Sequence, residues 1–197
     1  MCGNLSIKDF IVKNRSYRRF NQDVKLNEAT LKELVDLARL SGSAGNFQPL
    51  KYILSCDDGT NATIFSHLAW AGYLKDWPGP KDGEKPTGYI VILGDTELAK
   101  SFGCDHGIAA QSILLGAIEK ELGGCVIASI KRDDLMVALK IDSRYEILVV
   151  LAIGEPKEEV KIETVGEDGD VKYWRDEQSV HHVPKRSLES IVIGSYT

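Results

Sequence analysis

Asn14-Arg15-Ser16-Tyr17-Arg18-Arg19-Phe20 places three arginines and a serine beside one another near the start of a chain whose net charge is -5. Guanidinium groups are planar, permanently charged and matched to phosphate oxygens two at a time, and a serine hydroxyl adds a further donor. In an acidic protein such a cluster points to one local anionic ligand rather than to a basic surface. The same residues also read as a solvated basic connector between two helices, so the rest of the chain has to decide.

The 197 residues fit one domain, taken as 1–197, and a hydrophobic fraction of 43% is enough for a real core. With a pI near 5.4, neither nucleic acid nor an anionic membrane surface is expected as main partner. No apolar run approaches the roughly 18 residues needed to span a bilayer. Met1-Cys2-Gly3-Asn4-Leu5 lacks a basic segment followed by an apolar one, so no signal peptide is expected. Cys2, Cys56, Cys104 and Cys125 are widely spaced, which argues for reduced thiols in the cytoplasm and against a zinc site. The histidines are scattered apart from His181-His182, and no metal is expected.

Helices are expected at 5–13, at 27–40 with Asn27 as N-cap, at 61–70, at 96–122 and around Asp133 to Lys140. Leu26 and Leu31 stand at the positions of a hydrophobic staple. Strands are expected at Leu50–Ser55, Tyr89–Leu93 and Tyr145–Ile153, and a short one at Ile191–Ile193. Residues 76–88, with Trp77-Pro78-Gly79-Pro80 and Lys85-Pro86, read as loop. Residues 155–179 read as an acidic excursion, with Glu155 to Glu159 a solvated face. Ile108 to Ile118 is apolar or small nearly all round, so that helix is expected at the centre of something, and Gly107 and Gly116 could admit a neighbouring helix. The class is α+β: a mixed central sheet flanked by helices.

Four segments carry a resemblance together. They are Arg15-Ser16-Tyr17-Arg18-Arg19-Phe20, Ser43-Ala44-Gly45-Asn46-Phe47-Gln48-Pro49, Leu122-Gly123-Gly124-Cys125-Val126-Ile127 and Lys185-Arg186-Ser187-Leu188-Glu189. In this order the chain resembles the FMN-dependent nitroreductase family, from about residue 7 to about residue 190. The resemblance implies an intertwined homodimer with FMN at the subunit interface, NADH or NADPH as electron donor, and a small acceptor such as a nitroaromatic or quinone reduced by a ping-pong mechanism. Other flavin reactions of the same superfamily (dehalogenation, flavin cleavage) and a non-catalytic flavin-binding redox sensor are the alternatives.

By the resemblance, Arg15, Ser16 and Arg186 surround the FMN phosphate, and Arg18 stands near the flavin pyrimidine edge, where a cation offsets charge on the reduced ring. Asn46, with Gln48 in the same motif, reaches the flavin of the neighbouring subunit. Ile127, Ala128 and Ser129 lie along the ring face and N5 edge. No side chain acts as catalytic group, because the flavin carries the chemistry. Residues 68–88 form a pocket lid, and 180–197 an extension onto the partner. Trp70, Tyr73 and Phe102 are substrate-side candidates that read equally as core or loop-anchoring aromatics, as does Trp77. Arg19 is expected to be solvated or interfacial, Asp105-His106 to be helix surface or interface, and Cys125 to be a small buried hydrophobe. The chain departs from the family in Asn14, where a second arginine is frequent, in Leu50, where tryptophan is usual, and in having one residue fewer after Arg186.

Overall fold

The computed structural model describes residues 5–196, so Cys2 and the first four residues read above for a signal lie outside it. Helix α1 (Ile7–Lys13) is closed by a capping box in which Ser6 and Asp9 exchange hydrogen bonds. Helix α2 (Glu28–Arg39) starts at the expected Asn27 cap, whose side chain accepts from Thr30 N. A 3-10 turn over Ala44–Asn46 leads into β1 (Leu50–Ser55). Helix α3 (Asp58–Ser66) starts earlier than expected because Asp57 caps it through Thr60 N, and it ends at His67, whose N–H donates to Ile64 O and Phe65 O. Strand β2 (Gly88–Asp95), α4 (Asp105–Glu119), β3 (Gly123–Ile127), α5 (Arg132–Ala138) and β4 (Tyr145–Gly154) complete the body.

These four strands pair in the order β1-β2-β4-β3, and every neighbouring pair is antiparallel. The expected mixed character is confined to the edge, where Ser16 makes a parallel bridge to Gly124. Side chains alternate between faces along each strand. Ile90 and Ile92 of β2 pack with α2 and α4 (Leu31, Leu34, Ile113), whereas Tyr89, Val91 and Leu93 pack on the other face with Ile64 and Leu135. The register shifts between Ile92, which faces Val149, and Leu93, which faces Ile147. The extra residue Leu148 turns Ile147 to the face opposite Val149. Arg132 holds this bulge, donating from Nε to Ile147 O at 3.0 Å and from Nη2 to Leu148 O at 3.2 Å.

Helix α4 is central, but it is shorter than the expected 96–122. Residues before Asp105 form turns, with Asp95 Oδ1 accepting from Glu97 N and Gly103 at a φ of 46°. Ala109, Ala110, Ile113 and Ala117 are buried, and Ile108 is exposed. Gly116 is the point of closest approach to α2, since a Cβ there would lie 2.2 Å from Leu37 Cδ1. Gly107 meets no such neighbour.

The acidic excursion is not structureless. It forms β5 (Val160–Thr164), β6 (Trp174–Arg175) and β7 (His181–Lys185), a small sheet ordered β5-β7-β6. Residues 181–185, expected to reach onto a partner, are therefore the middle strand of the chain's own second sheet. The expected strand at Ile191–Ile193 is also corrected. Ser187 caps a single helical turn, α6 (Leu188–Ile191), by accepting from Ser190 N, and Ile191, Val192 and Ile193 are exposed.

Candidate functional site

A cavity of about 200 Å³ opens where the N-terminal segment crosses the end of β3, lined by Arg18, Trp70, Ile127, Ala128, Ser129 and Tyr173 among others. Five of these were singled out from sequence, and Tyr173 was not. The floor is built by the last residues of β3 and the turn after it. Ala128 O accepts from Arg132 Nη2 at 3.2 Å, and Ser129 O accepts from Ala69 N at 2.9 Å. An antiparallel bridge from Leu68 to Ile130 continues that tie, so the start of the 68–88 segment is pinned to the floor. Trp70 is buried, and its Nε1 has no hydrogen-bond partner among the described residues. A buried N–H without a partner costs about 1–3 kcal/mol, and this one is enclosed near Gly79, where an added Cβ would lie 3.4 Å from Nε1.

Arg18 and its neighbours are held by buried carboxylates. The Glu158 side chain is fully buried. Its Oε1 accepts from Arg18 N and, at 3.2 Å, from Arg19 N, while its Oε2 accepts from Arg175 Nη2 at 3.0 Å. The reading of Glu155 to Glu159 as a solvated face is thus corrected at its most important residue. Arg19, expected to be solvated or interfacial, instead makes a two-pronged ion pair with buried Glu84, Nε at 2.9 Å and Nη2 at 2.8 Å. Hydrogen bonding to this guanidinium holds the Glu84 carboxyl below its ordinary range. Arg18 itself donates from Nη1 to Ser16 O at 3.2 Å and lies 4.7 Å from the Tyr173 ring centroid.

Arg15 sits on the same segment, half-buried, with Nη2 donating to Ile11 O at 2.7 Å and Nε without a partner among the described residues. Burial lowers the pKa of this guanidinium, and an anion beside it would restore what desolvation takes away. Arg186 is exposed after β7 and does not line the cavity. Tyr73 is exposed and packs on Tyr173, centroids 4.9 Å apart, rather than on the floor. Phe102 is buried over Gly94, where a Cβ would come within 2.3 Å of its ring, and is not part of the cavity lining.

Asn46 and Gln48 lie on a second loop, both at positive φ, 56° and 50°. Gln48 lines a separate recess of about 220 Å³ with Ser43, Tyr52 and Asp105. Burial pushes the Tyr52 hydroxyl up to about 12. Asp105, expected at the helix surface or at an interface, is buried within the chain and clamps the loop. Ser43 Oγ donates to its Oδ2 at 2.6 Å and Ala44 N to its Oδ1 at 3.1 Å. Cys125 is buried and inert in character, burial raising its thiol pKa.

The site thus combines a floor at the end of a buried strand with a fixed cation at its rim, on an α+β scaffold. Residues 93–155, from β2 through β4, match the nitroreductase family. The fold is also that of a nitroreductase family protein from Streptococcus pneumoniae TIGR4, at a TM-score of 0.66 and 16% identity over 79% of this chain and 93% of that one. A nitroreductase family protein from Clostridium novyi NT gives 0.63 at 20% identity, over 94% and 98% of the two chains. An NADPH:FMN oxidoreductase from Vibrio harveyi complexed with NAD+ gives 0.63 at 20%, over 82% and 74%. No curated protein matches the chain. The matched segment includes the Leu122–Ile127 motif, and the fold resembles that of the nitroreductase family proteins above.

Proposed function

We propose that the protein is an NAD(P)H-dependent FMN oxidoreductase that reduces a small acceptor, a nitroaromatic, quinone or similar molecule, by alternating use of one pocket. One observation carries the reading: on this fold, a cavity brings together Arg18, the Trp70 ring and the Ile127–Ser129 floor. When bound, FMN supplies the two-electron chemistry. The chain's own contributions are positional and electrostatic. Arg18 offers a cation to negative charge at the ring edge, Arg15 and Ser16 are placed on the adjoining segment for a phosphate, and Trp70 walls the cavity from water. Arg186 would join the phosphate only through the partner subunit.

A homodimer is part of this reading. Ile7, Ile11, Val12, Phe47 and Ile108 are exposed apolar side chains on α1, α4 and the Asn46 loop, a face that a second copy would cover. Among the described residues no helix is long and apolar enough to cross a membrane, and the free thiols of Cys56, Cys104 and Cys125 fit a reducing compartment such as the cytoplasm. The test is an absorption spectrum of the purified protein, followed by NADH and NADPH oxidation with nitroaromatic and quinone acceptors under anaerobic conditions. A yellow protein that releases FMN and turns over an acceptor is expected. Release of FAD, or no flavin after reconstitution, would overturn the reading.

A further inference from the structure

The small sheet that the sequence did not reveal delivers two aromatic rings to Arg18. From β7, His181 is almost fully buried, and its Nε2 lies 3.1 Å from Arg18 Nη1. A guanidinium only donates, so Nε2 carries the lone pair and the proton sits on Nδ1. From the segment before β6, the Tyr173 ring lies against both groups, 4.7 Å from Arg18 Cζ and 5.1 Å from the His181 ring. Tyr173 is braced in turn by Tyr73, whose backbone N–H donates to Tyr173 Oη at 3.4 Å. These residues lie beyond the segment 93–155 that matches the family.

We propose that His181 and Tyr173 are positioning residues that hold the Arg18 guanidinium over the cavity and so govern its effect on the flavin. The proposal rests on the flavin reading above. The neutral imidazole is suited to the task because it adds a lone pair without cancelling the arginine's charge, as a carboxylate would. Its surroundings enforce that state. Burial first, then the positive charges of Arg18, Arg175 and His182, push the imidazole down to about 4. Glu158, the acid nearest in the network, spends its oxygens on Arg18 N, Arg19 N and Arg175 Nη2. Glu159 offers only its backbone oxygen, accepting from His181 N at 2.9 Å. The His181 Nδ1 proton has no partner among the described residues, a cost that packing alone does not require of this position.

The test compares His181→Phe, His181→Gln and Tyr173→Leu with wild type in FMN dissociation constant and in the midpoint potential of the bound flavin. The phenylalanine keeps the ring and removes the acceptor, and the glutamine restores an acceptor. His181→Phe is expected to weaken FMN binding on the order of tenfold, the loss of one hydrogen bond from a charged donor, and to make the potential more negative. Glutamine should recover most of both, and Tyr173→Leu should shift the potential in the same direction. In wild type, imidazole nitrogen NMR should show a neutral ring protonated at Nδ1 from about pH 5 to about pH 8, a readout independent of any variant's folding. An imidazolium or the Nε2-protonated form at neutral pH would overturn the proposal, as would a His181→Phe protein with unchanged FMN affinity and potential. A wild type that takes up no FMN would overturn the flavin reading and this inference with it, whereas FMN binding indifferent to His181 would overturn the inference alone.

Discussion

The fully buried carboxylate of Glu158 joins Arg175 Nη2 at 3.0 Å and so fastens the small C-terminal sheet to the N-terminal segment, whose Arg18 and Arg19 backbone N–H groups it also accepts. Breaking one side of a buried charge pair leaves the other charge desolvated, which costs about 3–5 kcal/mol. Glu158→Ala is therefore expected to lower the unfolding free energy extrapolated from urea denaturation by about 3–5 kcal/mol, and Glu158→Gln by less, since an amide oxygen still accepts one backbone N–H. Equal midpoints for wild type and Glu158→Ala would show that the network is not formed in solution.

Arg15 and Arg19 should separate binding from stability. Arg15→Ala removes a half-buried cation whose Nε has no partner among the described residues, so FMN binding should weaken by about 1.5–3 kcal/mol with little change in melting temperature. Arg19→Ala strands the buried Glu84 carboxylate and should lower the melting temperature while changing FMN affinity less. Titration of both apoproteins with FMN, beside thermal melts, checks the crossing. Equal FMN dissociation constants would remove Arg15 from the phosphate site.

Much of this arrangement was legible in the chain, and its omissions share a cause. Continuous apolar runs at Tyr89–Leu93 and within Tyr145–Ile153 signal a sheet buried on both faces, and Asn27 marks a helix start, because those signals are local. Ile127, Ala128, Ser129, Arg18 and Trp70 line one cavity, and the first three were open to sequence reading because they are contiguous. Glu84, Glu158, Tyr173 and His181 were missed because each gains its role only through partners far along the chain. A glutamate in a run of acids reads as solvated until an arginine segment folds across it. The Val160–Thr164 and His181–Lys185 strands are half-polar and lie in parallel, so neither shows the alternation of a strand with one clean apolar face. Leu148 hid the bulge, since a continuous apolar run looks the same with or without an extra residue.

His182 gives the small sheet a pH dependence. It is buried, stacked on Trp174 at 4.0 Å, and flanked by Glu163 Oε1 at 2.5 Å and Asp176 Oδ2 at 3.0 Å. Hydrogen bonding to Asp176 first, and then to Glu163, raises its pKa above the ordinary value of 6.5. Because the folded value is the higher one, the contribution to stability is complete below about pH 6.5 and is lost as pH rises through the folded pKa. Wild type should lose melting temperature between about pH 6 and about pH 9 relative to His182→Asn. Parallel curves for the two proteins would show that His182 does not titrate with folding.

The C-terminal segment should act on the partner subunit rather than on its own chain. Helix α6 buries no residue, and Leu188, Ile191, Val192 and Ile193 are all exposed, Ile193 completely. Deleting residues 188–197 therefore removes nothing from either core cluster and should leave the secondary structure and urea midpoint of the monomer unchanged. If these side chains pack across a dimer interface and the flavin site draws on both copies, the truncated protein should dissociate at concentrations where wild type remains a dimer, and its flavin content should fall in step. Sedimentation velocity with simultaneous detection at the flavin and protein absorbances reads both quantities in one run. A truncated protein that sediments as a flavin-loaded dimer would show that the exposed tail plays no part in assembly, and a flavin-loaded wild-type monomer would show that one chain completes the site alone.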